Sequence, residues 1–134
     1  MPAQLSESDR EILKGNNFAH LTTLGSDGAP ISTVVWVDED GGEIIMNTAM
    51  GRIKQANIAR DPRVAVSVHR QDNPQMSMAV VGVAMLEQEQ AEEIIDRLTK
   101  KYTGQEHYPV EWRSPDERRV TIRVRPQGIH RYGY

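Results

Sequence analysis

EIIMNTAMGRIKQANIARDPRVAVSV, residues 43–68, is the stretch on which the fold turns. EIIMN (43–47) reads as a strand. GRIKQANIA (51–59) opens on a glycine and reads as a short helix, with Ile53, Ala56 and Ile58 expected inward and Arg52, Lys54 and Gln55 more accessible. Asp61-Pro62 ends that helix, because the residue before a proline avoids helical angles. RVAVSV (63–68) is rich in β-branched residues and reads as the next strand.

Toward the N-terminus, FAHLTTL (18–24) and PISTVVWV (30–37) read as strands joined by the turn Ser26-Asp27-Gly28. Alternation puts Ile31, Thr33, Val35 and Val37 on one face and Ser32, Val34 and Trp36 on the other. Asp38-Glu39-Asp40-Gly41-Gly42 reads as an acidic hairpin turn. A first helix is expected from Ser8 and Glu11, at capping-box spacing, with Leu5, Ile12 and Leu13 as its apolar stripe and Gly15 as its stop.

Toward the C-terminus, HRQDNPQ (69–75) reads as a polar loop and MSMAVVGVAML (76–86) as a long strand. Gly82 there marks a bulge or a close backbone approach. Residues 87–101 carry Ala91, Ile94, Ile95 and Leu98 at helical spacing, with acids first and lysines last, as the helix dipole favours. Residues 102–117 are irregular and contain Tyr102, Tyr108 and Trp112. RRVTIRVR (118–125) alternates as a strand, Pro126 breaks it, and 127–132 close the sheet. About seven strands with few helices point to a mainly β, closed or nearly closed antiparallel barrel. It is expected to form a single domain over residues 1–134.

Bulk composition narrows the function classes. The chain is 38% hydrophobic with a mean hydropathy of -0.57, so an oligomer is expected to add burial. A net charge of -3 and a pI near 5.8 speak against a nucleic-acid binder. No run approaches the length of a membrane span, and the acidic start MPAQLSESDREIL is unlike a secretory signal, so a cytoplasmic location is expected. With no cysteine, disulfides, thiolate metal sites and cysteine nucleophiles are excluded. The four histidines are scattered without metal-ligand spacing, and no GxSxG elbow exists.

The charge is unevenly distributed. Residues 1–50 hold two basic and eight acidic side chains, whereas residues 51–70 hold five basic and one acidic. Within that cationic block, Thr48-Ala49-Met50-Gly51-Arg52-Ile53-Lys54 follows a strand, turns at glycine and opens a helix. Helix N-termini present free N–H groups and partial positive charge, and Arg52 and Lys54 would add two cations. Such a turn suits a phosphate monoester. The alternative reading is a solvated basic helix face.

The runs GAPISTVVWV, EIIMNTAMGRIKQANIARDPRVAVSV and AVVGVAML resemble the pyridoxamine 5'-phosphate oxidase-like split barrels. More narrowly, they resemble the flavin/deazaflavin oxidoreductases that prefer coenzyme F420. Gly28, Pro30, Thr48, Arg52, Lys54, Asn57, Ile58, Asp61, Pro62, Arg63 and Val64 carry the likeness, which spans residues 8–133. The resemblance implies an FMN-binding type of split barrel, a homodimer, and a cofactor in each groove between subunits. It further implies that Gly51, Arg52, Ile53 and Lys54 take the phosphate, that Val34 and Trp36 lie near the ring, and that Thr48 and Ala49 approach along the backbone. The partner is implied to contribute the loop around Met76.

The compact C-terminus and Ser32, where the oxidase enzymes place a basic residue, speak against pyridoxamine phosphate oxidation and for the F420 group. An F420-dependent oxidoreductase passing hydride to an unsaturated small molecule is the first expectation. FMN is the alternative cofactor, and a non-catalytic flavin, deazaflavin or haem binder the alternative class. Tyr102, His107 and Tyr108 could line the mouth and supply a proton, or solvent could; no catalytic residue is assigned.

Overall fold

The structure is a computed structural model and describes residues 3–134. Met1 and Pro2, the first residues of the stretch read against a secretory signal, lie outside the described residues. The elements in order are α1 (Glu7–Lys14), β1 (Ala19–Leu24), β2 (Pro30–Val35), β3 (Asp38–Asp40), β4 (Glu43–Ala49), α2 (Ile53–Arg60), β5 (Arg63–Arg70), β6 (Asn73–Glu87), α3 (Ala91–Thr103), a 3-10 turn (Val110–Trp112) and β7 (Arg119–Tyr132).

The strands form one antiparallel sheet in the order β2-β1-β5-β6-β7-β4-β3. Its two edges, β2 and β3, are consecutive in the chain and separated only by Trp36 and Val37. Three Cα steps hold those edges within about 11 Å at that corner. The sheet must therefore curl until its ends meet, yet the edges share no ladder, which makes the barrel split.

Leu21, Val37, Met46, Val66, Val68, Met78, Val80 and Ile122 fill the interior, with Ile12 and Leu13 of α1 and Ile58 of α2 packed into it. On β4, Ile44 and Met46 face this core, while Ile45 and Asn47 face outward, where α3 packs against β4 and β7. No described helix is long and apolar enough to cross a membrane.

Several local expectations are corrected. The capping box is Ser6 with Asp9, not Ser8 with Glu11: the Asp9 N–H donates to Ser6 Oγ at 3.1 Å and the Ser6 N–H to Asp9 Oδ2 at 2.8 Å. Asp38–Asp40 is a short strand rather than part of a turn, and the turn is Gly41-Gly42 alone. Both glycines have positive φ, 60° and 85°, which a two-residue hairpin of right-handed twist requires. The strand tolerates three acids because cations flank it: Lys14 lies 3.4 Å from Glu39, Arg97 3.3 Å from Asp38 and Arg123 3.2 Å from Asp40.

The α2 residues Ile53 and Ala56 face outward, not inward; Asn57 and Ile58 are buried instead, and Asn57 Nδ2 donates to Thr23 Oγ1. Residues 69–75 are not a loop, because β5 and β6 run on to a tight turn at Gln71-Asp72. The helix expected at 87–101 begins at Ala91, after β6 has taken Glu87. Pro126 does not break β7. It pairs opposite Gly82, and Gln127 is the extra residue of a bulge, a place where proline's missing N–H is tolerated. A Cβ on Gly82 would sit 2.4 Å from the Arg125 carbonyl oxygen, so the expected close approach is real.

Candidate functional site

At the split, a cleft of about 310 Å³ lies between the end of β2, the end of β4, the start of α2 and the inner side of α3. Val34, Trp36, Thr48, Arg52 and Lys54, all expected at the site, line it together. Gly51 and Ile53 line an adjoining cavity of about 390 Å³ that shares Arg52 and Lys54. Ala49 lies on an outer groove with Gly51 and Arg52. Met76 is on β6 and lines none of these cavities.

The aromatic wall is held from behind. Trp36 stacks on Tyr102, centroids 5.3 Å apart and planes 9° apart, and Phe18 also stacks on Tyr102, at 5.2 Å. Tyr102 hydroxyl accepts from the Val37 N–H at 3.1 Å and donates to the Asn17 carbonyl at 2.5 Å. Burial pushes this phenol up to about 12. Its proton is committed to the backbone, so Tyr102 fixes the Trp36 corner and is unsuited to deliver a proton. Lys101 ties the same corner down, with Nζ donating to the carbonyls of Leu13 and Val37, and burial lowers its amine to about 8.

The cationic end is built by three elements. β4 ends at Ala49, and Gly51, with φ 89°, turns the chain so that Arg52 becomes the N-cap of α2. Arg52 makes no side-chain cap; instead Gln55 Oε1 accepts from the Gly51 N–H at 2.8 Å. From β7 comes Arg119, opposite Ala49, only 5% exposed, its Nε donating to Asn47 Oδ1 at 2.9 Å. Glu117 accepts from both Arg52 and Arg119 at 3.2 Å.

Lys54 differs from its neighbours. Desolvation lowers its ammonium from the ordinary value, Arg52 and Arg119 lower it further, and no described acid opposes them. A cation held among cations is a seat for an anion. The residues thus fit a phosphate-bearing cofactor on two counts. Among the described residues Lys54 lacks a counter-charge, and the buried hydroxyl of Thr48 has no hydrogen-bond partner.

The opposite rim is the segment between α3 and β7. The Tyr108 N–H donates to Asp96 Oδ1 at 2.8 Å, and Arg113 grips Glu92 at 2.5 and 3.1 Å. These bonds bring Tyr108 and Trp112 into the cleft, edge to face at 5.7 Å. The Arg113 and Arg119 guanidiniums lie 5.3 and 5.0 Å from the Tyr108 ring. His107 sits 3.1 Å from Asp96, 82% exposed, and does not line the cleft.

Sequence reasoning did not find Phe18, Asn47, Ile95, Leu98, Glu117 or Arg119. Arg119 carries no local signal: in the alternating strand RRVTIRVR it shares a face with the polar Thr121, Arg123 and Arg125, and only the fold lays α3 against β7.

Known proteins share this fold. Among curated proteins nothing matches the chain. Of solved structures, an F420 reductase is 27% identical, with a TM-score of 0.78 over 90% of this chain and 94% of that one. A conserved hypothetical protein of Mycobacterium tuberculosis is 25% identical, TM-score 0.73, over 95% and 84%. General stress protein 26 of Bacillus anthracis, 20% identical with a TM-score of 0.68 over 90% and 88%, shares the fold. The sequence profile described as pyridoxamine 5'-phosphate oxidase matches residues 5–132. On that match and this barrel, the chain belongs to the pyridoxamine 5'-phosphate oxidase family, whose members include oxidoreductases.

Proposed function

We propose that this protein is an F420-dependent oxidoreductase acting on an unsaturated small molecule, with the cofactor phosphate on Lys54 and Arg52. The carrying observation is Lys54, a half-buried ammonium repelled by Arg52 and Arg119 and opposed by no described acid. The 27% identical F420 reductase, aligned over nearly all of both chains, supports the choice of deazaflavin.

When bound, the deazaflavin supplies the hydride chemistry. This chain's residues bind, orient and exclude water. Lys54 and Arg52 grip the phosphate, Val34 and Trp36 bound one side of the ring pocket, and Thr48 offers its unpartnered hydroxyl. Tyr108 and Trp112 close the other side and narrow water's access. Tyr108, the one expected proton source that lines the cleft, is the residue we assign to supply the substrate's proton.

One observation favours FMN as the alternative. Arg52, Lys54 and Arg119 against Glu117 leave the cleft two positive charges in excess, which matches a phosphate monoester of about -2 charge. A homodimer is part of the same proposal. Val34 on β2 is 61% exposed, and Val81 and Tyr132 are 47% and 56% exposed, so apolar surface is left for a second copy.

Fluorescence titration with F420 and FMN side by side tests the cofactor. F420 is expected to bind tighter, and Lys54→Ala to weaken it by about tenfold or more, as loss of a charge-assisted contact does. Equal affinity of wild type and K54A for both cofactors would end the proposal. Sedimentation equilibrium showing only monomer at micromolar concentration would remove the dimer from it.

A further inference from the structure

Glu117 is a buried carboxylate on the arginines of the proposed phosphate seat, where a negative charge would work against the ligand. Its side chain is 3% exposed. Oε1 accepts from Arg52 Nη2 and Oε2 from Arg119 Nη1, each at 3.2 Å, while the Ser114 N–H reaches Oε1 at 3.4 Å. A tight turn sets it there: the Glu117 N–H donates to the Ser114 carbonyl, and Asp116 takes a left-handed φ of 59°. The two arginines are not equivalent. The Arg119 side chain is 3% exposed and also anchored to Asn47, whereas that of Arg52 is 46% exposed and has no other side-chain bond among the described residues. Arg52 is the one that can leave.

We propose that Glu117 is an internal competitor for the ligand's phosphate: it holds Arg52 until an anion seated on Lys54 draws that guanidinium away. The exchange of one anionic partner for another sets how strongly the site distinguishes phosphorylated rings from bare ones. Glu117 is a positioning residue, acting through Arg52 and touching no reacting atom. The inference rests on the reading of Lys54 as the phosphate contact.

The measurement is the affinity ratio between FMN and riboflavin, and between F420 and its phosphate-free deazaflavin nucleoside, by fluorescence titration. In Glu117→Gln the ratio should rise about tenfold, because Arg52 no longer has a charged rival. Glu117→Asp keeps the charge that neutralises Arg119 but is one methylene too short to reach both arginines. It should fold as the wild type does and raise the ratio less. In the Arg52→Ala background, E117Q should bring no gain, a coupling that a merely structural carboxylate would not show.

A ratio that stays level or falls in both E117Q and E117D overturns the inference while leaving the phosphate seat standing. A wild-type ratio near one that K54A does not change sinks the seat itself, and the two failures are told apart by that variant.

Discussion

Two buried carboxylates, Asp9 and Glu117, show how one kind of group does opposite work. Asp9 is fully buried at the α1 end of the barrel and closes a complete network. It receives Arg131 Nε at 3.0 Å and Nη2 at 2.6 Å, the Tyr134 hydroxyl at 2.6 Å and the Ser6 N–H at 2.8 Å. One acid meets one base, with every nearby donor placed. Glu117, at the α2 end, meets two arginines with a third cation, Lys54, left over. Balanced charge locks α1 and the end of β7 to the barrel; unbalanced charge is what the proposed ligand seat would use. Burial alone would have marked both as functional sites.

The largest effect is expected where the balance is complete. Asp9→Ala removes the acceptor for Arg131 and Tyr134 and the α1 capping box together. It should cost about 3 kcal/mol in a urea melt while leaving cofactor affinity unchanged. Burial alone would raise the Asp9 carboxyl, but the bonds from Arg131, Tyr134 and Ser6 outweigh it and hold the group at about 2. A depressed carboxylate stabilises the fold above its unfolded value near 4 and loses that contribution as pH falls. Stability should therefore drop between about pH 4 and pH 2 in wild type, and far less steeply in D9A. A D9A protein that melts like wild type, or that loses its cofactor, would erase the contrast.

The sequence exposed one half of each cluster. The strand-glycine-helix run and its cations were legible because they are local: the strand EIIMN, the turn at Gly51 and the Asp61-Pro62 stop all lie within 20 residues. Glu117 and Arg119 were not, because they reach the cleft from 65 or more residues downstream, through the pairing of β7 with β4. The N-terminal cap failed for the same reason. Ser6-Asp9 and Ser8-Glu11 both have cap spacing, and Arg131 and Tyr134, more than 120 residues away, decide between them.

Seven strands were expected and seven are found, but two errors cancel. The sequence of β3 reads as a turn because its three acids oppose strand propensity; only the folded barrel brings Arg97, Lys14 and Arg123 to them. β7 was cut at Pro126 because nothing local tells that Gly82 lies opposite, leaving room for the bulge.

A smaller effect, of opposite sign, belongs to the unbalanced end. Thr48 is 1% exposed in the core-facing register of β4, and its hydroxyl has no partner. Thr48→Val keeps the shape and the strand propensity and removes the orphaned polar atom. It should stabilise the protein by about 1 kcal/mol and weaken cofactor binding. Loss of stability on that change would mean the hydroxyl is satisfied within the chain, and the cleft would then lack one of its two signs of a ligand.

The smallest effect is the most telling for the comparison. Lys54 is destabilised in its charged form by desolvation and by two arginines, so its amine loses a proton more readily in the fold than in the unfolded chain. The unfolded state then binds more protons across that interval, and stability rises with pH through it. At neutral pH the ammonium is a net cost, and Lys54→Ala should raise the unfolding free energy slightly, by about 0.5 kcal/mol at this half-exposed position. The gain should shrink as the pH is raised toward the lysine's ordinary value of 10.5, since the lowered amine gives up its proton ahead of the unfolded chain's. Phosphate-bearing cofactor should reverse the order, since wild type gains from ligand what K54A cannot. If K54A is less stable than wild type without ligand, the lysine is serving the fold, and the division between a balanced end and a waiting end does not hold.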